Sequence, residues 1–191
     1  MEKHRRDALS RPAKSTRLFI VSAVIGMGLQ FPVGSPAAAA SSGGSLTTVS
    51  CPVGSQFTTY QPGLNLTSRY VDYVAHGTLA ACLSSGSQDV KGAKFTTTGS
   101  GNTSCLSGDV TEKSVYHWNT GATSVVESRF KINLKPNGTT VVVSTGSVVS
   151  GLFAGATTVQ TKILPNTGLL ACLSPQGMTG AGGPVSMTVT G

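Results

Sequence analysis

Apolar and polar residues alternate one by one along several stretches of the chain. From Val126 to Leu134, Val126, Phe130, Ile132 and Leu134 share one face with Ser128, while Glu127, Arg129, Lys131 and Asn133 share the other. This period of two predicts a half-buried antiparallel strand with a charged outer face. The C-terminus repeats the pattern, with Val185, Met187 and Val189 set against Ser186, Thr188 and Thr190. So does the stretch in which Val159, Thr161 and Ile163 oppose Thr158, Gln160 and Lys162. No window shows helical periodicity.

Turn signals separate these stretches: Pro62-Gly63, Gly99-Ser100-Gly101-Asn102, Ser107-Gly108-Asp109, Asn119-Thr120-Gly121 and Pro136-Asn137-Gly138. Asn137-Gly138 suits a tight hairpin, because both residues tolerate positive φ. The reading is an all-β chain of about seven to nine short strands, folded as a single antiparallel β-sandwich or, alternatively, a β-barrel.

The N-terminus follows another pattern. Lys3, Arg5, Arg6, Arg11, Lys14 and Arg17 precede an apolar run, Leu18–Leu29, and then Pro32, Pro36 and four alanines, Ala37–Ala40. A basic segment, a short apolar segment and small residues at an A-x-A site make a cleavable secretory signal, cut between Ala40 and Ser41. The apolar run is too short for a transmembrane anchor, which needs about 20 residues. The expected organisation is therefore a signal peptide over 1–40, a flexible leader over 41–50 and a β domain over 51–191, in a secreted, extracellular protein with no transmembrane anchor in its mature form.

Trimming changes the charge. The chain has fourteen Lys and Arg against seven Asp and Glu, and the leader holds six and two of them. Eight and five remain, scattered and without aromatic interleaving, so the high overall charge is no nucleic-acid footprint.

Four cysteines survive: Cys51, Cys82, Cys105 and Cys172. An even number in an exported chain reads as two disulfides. Three pairings are open; Cys51–Cys82 with Cys105–Cys172 is favoured, each pair bracketing one strand-rich segment. No spacing suits a zinc site or a redox pair, and no metal or cofactor is expected.

Candidate chemistry is sparse. The trimmed chain has two histidines, His76 and His117, and five carboxylates, Asp72, Asp89, Asp109, Glu112 and Glu127. The carboxylates read as solvated surface charges. His117 falls between Tyr116 and Trp118, whose shared parity turns them inward and His117 outward. His76 could pair with Asp72, but no motif supplies a nucleophile. No catalytic residue is assigned, and an enzyme is not expected. Trp118 reads as a core residue rather than a sugar-stacking platform. Tyr70 and Tyr73 have opposite parity, so one of them faces outward.

The elements Ser104-Cys105-Leu106-Ser107-Gly108, Trp118-Asn119-x-Gly121, Ser124, Gly151-Leu152-Phe153-Ala154-Gly155 and the late Cys172 resemble a group of small secreted actinobacterial proteins of unassigned function. The resemblance spans most of the trimmed chain and implies export and an all-β fold, with no catalytic residues to carry over. The functional expectation is a non-catalytic secreted protein binding an extracellular surface, glycan, small ligand or partner protein. The alternatives are an inhibitor of an extracellular hydrolase, presenting Ser84–Lys91, and a small secreted enzyme.

Overall fold

The computed structural model describes residues 47–134, 139–164 and 170–191. Its strands in chain order are β1 (Thr48–Cys51), β2 (Val53–Leu64), β3 (Arg69–Ala80), β4 (Leu83–Ser84), β5 (Ala93–Thr103), β6 (Asp109–Trp118), β7 (Thr123–Leu134), β8 (Thr140–Gly151), β9 (Thr157–Leu164) and β10 (Met178–Thr190). The single helical turn among the described residues is a 3₁₀ turn, Ala171–Leu173. The stretch read as a signal peptide, its expected Ala40/Ser41 cleavage site and the expected Asn137-Gly138 turn lie outside the described residues.

Of the two all-β architectures that the pattern allows, the chain takes the barrel. Strands β2, β3, β5, β6, β7, β8, β9 and β10 each pair antiparallel with the next, and β10 pairs back onto β2. Closure leaves the eight long strands no free sheet edge and wraps one face of every strand around a common interior. Strand β10 makes the closure in two halves. Its first half, Met178–Pro184, runs along β2, and its second half, Val185–Thr190, lies between β9 and β1. Strand β1 begins at Thr48, so the domain starts inside the stretch read as a leader over 41–50.

Two turn signals proved to be strand interior. Pro62-Gly63 lies within β2, where the Gln61–Pro62 peptide is cis, and Gly99–Asn102 lies within β5. At Gly99 the glycine serves packing. A Cβ there would stand 2.3 Å from the Tyr73 hydroxyl, so the missing side chain makes room for the phenol. Strands β7 and β8, on either side of Asn137-Gly138, do pair antiparallel, with Leu134 opposite Thr140.

Both disulfides have the favoured pairing, Cys51–Cys82 and Cys105–Cys172. The first sits at one end of the barrel in an apolar core with Leu79, Phe95, Trp118, Val148 and Met187. There Trp118 stacks on Tyr116 (centroids 5.8 Å apart) and meets Phe153 edge-on (5.6 Å). Trp118 Nε1 donates to Ser124 Oγ at 2.8 Å, and Ser124 Oγ donates in turn to the Leu152 carbonyl. Trp118, Ser124 and the 151–155 turn thus form one structural knot that plugs this end. The second disulfide packs near the other end with Leu64, Val71 and Met178.

Candidate functional site

Between the apolar plug and the second disulfide, the inward-facing residues turn polar. Gln56, Thr97, Ser114, Ser128, Ser144, Gln160 and Lys162 are all buried on the interior wall. At their centre is a buried ion pair. Glu112 of β6 is 2% exposed and Lys162 of β9 is 5% exposed. Lys162 Nζ lies 3.1 Å from Glu112 Oε2 and 3.3 Å from Oε1. The Tyr73 hydroxyl donates to Oε2 at 2.8 Å and Ser128 Oγ donates to Oε1 at 3.1 Å, so both carboxylate oxygens are held.

The local sequence makes this possible. Gly99 pairs with Tyr73 on one side and with Glu112 on the other, and the absent side chain lets the phenol cross to the carboxylate. Replacing Gly99 by alanine is expected to displace Tyr73 and cost about 2 kcal/mol, the worth of a hydrogen bond to a charged group. Urea unfolding checks it: a midpoint within experimental error of wild type would contradict this role.

Electrostatics follow from burial. Burial by itself would raise the Glu112 carboxyl, but the Lys162 ammonium, with the nearby hydroxyls of Ser144 and Tyr73, outweighs it and holds the carboxyl below its ordinary value. Burial, then the Glu112 charge, pushes the Tyr73 phenol far up. Burial likewise pushes Tyr60 up to about 12.

Among the described residues, the barrel is not filled above this pair. Its mouth, at the end carrying the Cys105–Cys172 disulfide, holds a cleft of about 370 Å³ lined by Tyr60, Leu64, Leu164, Ala171, Met178 and Ala181 among others. Beneath it lies a small cavity of about 40 Å³, bordered by Gln56, Thr58, Tyr73, Glu112 and Lys162. Tyr60, Leu64 and Leu164 line both spaces.

The structure corrects two expectations here. Glu112 is an interior group, not a solvated surface charge. On β9 the faces are also inverted: Thr158, Gln160 and Lys162 point in, while Val159 and Ile163 are exposed. The reason is that the interior at this level is polar, so the polar face is the complementary one.

The remaining sequence candidates stay apart from the mouth. Asp72 and Glu127 are exposed, and Asp89 and Asp109 make exposed ion pairs with Lys91 (3.2 Å) and Arg129. His76 and His117 share a shallow patch of the outer wall with Phe57 and Lys94, and His76 Nδ1 lies 3.2 Å from Thr96 Oγ1. Tyr70 is the outward tyrosine and Tyr73 the inward one. The Ser84–Lys91 loop sits at the plugged end. Asn119 clamps it there, accepting from Lys91 N at 2.8 Å and donating to the Asp89 carbonyl at 3.0 Å. Among the described residues, no three His, Cys, Asp or Glu side chains gather as metal ligands.

No family model matches the chain, and neither the curated proteins nor the solved structures include a match to it. The class it defines is therefore stated from its own geometry: an up-and-down, eight-stranded antiparallel barrel, plugged at one end, with a cleft among the described residues at the other and a buried ion pair at its centre.

Proposed function

We propose that this is a secreted, non-catalytic protein that binds a small extracellular ligand in the open mouth of its barrel. One observation carries the reading: the cleft of about 370 Å³, in which Tyr60, Leu64, Leu164 and Met178 stand beside Ser104, Thr140 and Thr179, with Gln56 and the ion pair bordering the cavity beneath. Barrels of eight strands have an interior that side chains can just fill, or that can hold one small ligand, and a concave, mostly apolar site with a few placed polar groups is the usual form of such a pocket. The resemblance to small secreted actinobacterial proteins fits the same reading, because its motif residues are structural: Ser104 Oγ accepts from Leu106 N and Ser107 N, and Trp118 and Ser124 form the plug.

Export is part of the proposal, supported by the leader and by two disulfides that suit an extracellular protein. Among the described residues no helix is long and apolar enough to cross a membrane. The barrel's outer wall bears Asp72, Lys94, Lys113, Glu127, Arg129 and Lys131, all exposed, a surface suited to water rather than to the apolar band of a lipid-facing barrel.

The test is a thermal-shift screen of the purified protein against small apolar and amphipathic compounds. Binding is expected to raise the unfolding midpoint by mass action. Ala181 pairs with the inward Thr58 and lines the cleft, so Ala181→Leu places three extra carbons there. That variant is expected to stay folded and to lose the shift, with affinity weakened at least about tenfold. Hits whose shift survives Ala181→Leu unchanged would place binding elsewhere and count against the mouth.

A further inference from the structure

We infer that the ligand is a neutral amphipathic molecule, its apolar body seated in the mouth cleft and an uncharged hydrogen-bond-donating head, a hydroxyl or amide, lowered into the small cavity beneath, beside Gln56. The inference rests on the mouth being a binding site and adds the chemistry of what fits it.

The head is specified by an unfilled acceptor. Gln56 is more than nine-tenths buried and borders the small cavity. Its Nε2 donates to Thr58 Oγ1 at 3.3 Å, while its Oε1 has no hydrogen-bond partner. Gln160, further along the same interior wall, repeats the arrangement: Nε2 donates to the Tyr116 hydroxyl at 3.1 Å and Oε1 is unpartnered. A buried amide oxygen without a donor is costly, and a ligand N–H or O–H beside Gln56 removes that cost. The cavity of about 40 Å³ has room for a group of hydroxyl or amide size.

Neutrality follows from charge balance. Among the described residues, the charged ones bordering this cavity are Glu112 and Lys162, and they already neutralise each other through two short contacts. A ligand carboxylate would have to displace Glu112 from Lys162, and an ammonium would have to displace Lys162 from Glu112. Either one otherwise enters as a buried charge without a partner. A neutral donor meets neither obstacle. The apolar body follows from Leu64, Leu164 and Met178, and its contact with the head follows from Tyr60, Leu64 and Leu164 bordering both spaces.

Isothermal titration of the purified, disulfide-intact protein with four probes built on an eight-carbon chain tests this. Octan-1-ol both donates and accepts, 1-methoxyoctane accepts only, and octanoate and octylammonium carry a charge. Octan-1-ol is expected to bind about tenfold more tightly than each of the others, the worth of one buried hydrogen bond. Gln56→Leu is expected to erase the gap between octan-1-ol and 1-methoxyoctane. The head-group contrast is read on the unaltered protein, so it decides the matter even if that variant fails to fold. Equal affinity for octan-1-ol and 1-methoxyoctane would mean that the cavity takes only water, and tightest binding of octanoate or octylammonium would refute neutrality; either overturns the inference while leaving the mouth a binding site. No binding by any probe, together with an empty thermal-shift screen, overturns the proposed function itself.

Discussion

Replacing Lys162 with methionine is expected to lower the unfolding free energy by about 3–5 kcal/mol, because it leaves the Glu112 carboxylate buried without its counter-charge. The lysine is not a dispensable surface residue: it reaches both carboxylate oxygens at 3.1 and 3.3 Å inside the barrel. A double variant, Glu112→Leu with Lys162→Met, is expected to recover much of the loss, since it removes both charges at once and leaves neutral hydroxyls, those of Tyr73 and Ser128 among them, without an acceptor. Urea midpoints of the two variants, measured at unchanged slope, separate the cost of an orphaned charge from the worth of the pair.

The pH dependence gives the same prediction a second reading. In the wild type the Glu112 carboxyl lies below its reference value of 4.5, so its contribution to stability is full above that value and is lost as pH falls through the lower, folded-state value. In Lys162→Met, burial is no longer opposed by an ammonium and the carboxyl rises. The variant should then gain stability as pH falls from neutrality toward 4.5, where the wild type draws no change from this group. The stability gap between the two proteins should therefore narrow with acid. A gap that widens over that range would contradict the assignment of Glu112 as the buried partner.

Removing the Cys105–Cys172 bridge, as Cys105→Ala with Cys172→Ala, is expected to cost about 4 kcal/mol in the chain-entropy account, since the bridge closes a sequence separation of 67. The Cys51–Cys82 bridge spans 31 and should cost slightly less. The functional consequences should differ more than the stabilities. Cys105 lines the mouth cleft, and Cys172 lies in the 3₁₀ turn beside it, packed with Leu64 and Met178. Loss of this bridge should therefore weaken ligand binding, whereas loss of Cys51–Cys82, in the plug, should spare it at temperatures where both variants remain folded. Thermal unfolding combined with titration of octan-1-ol checks both halves. Equal losses of affinity in the two variants would mean that the mouth is not specifically organised by its disulfide.

How much was legible in the chain depends on which face of each strand meets which part of the interior. The inward faces of Val126–Phe130 and Val185–Val189 were readable because those strands bury Val126, Phe130, Val185, Met187 and Val189 in apolar surroundings. Alternation gave the wrong face for β9 because hydrophobicity identifies the core-facing side only where the core is apolar, and Gln160 and Lys162 point into a polar belt. Glu112 was within reach of the same reasoning. It shares parity with Tyr116 and Trp118, so continuing their inward face back along β6 places it inside the barrel. Its partner Lys162 lies 50 residues further on, and only barrel closure brings the two together. The turn signals at Pro62-Gly63 and Gly99–Asn102 misled for a local reason, since a glycine that accommodates a close neighbour, the Tyr73 ring at Gly99 and the Gln176–Met178 backbone at Gly63, looks in sequence like a glycine that turns the chain. The mouth itself had no signature, because a cleft is the space left by residues as far apart as Tyr60 and Ala181.

The central claim is that the open end of the barrel is a small-ligand site. The most direct measurement is a titration of isotopically labelled protein with octan-1-ol, followed by backbone amide chemical shifts. The account predicts saturable shifts concentrated at Tyr60, Leu64, Cys105, Ala171 and Ala181 around the mouth, reaching down to Gln56 at the cavity floor. Shifts confined to the outer wall around His76, Lys94 and His117, or to the Ser84–Lys91 loop at the plugged end, would contradict it.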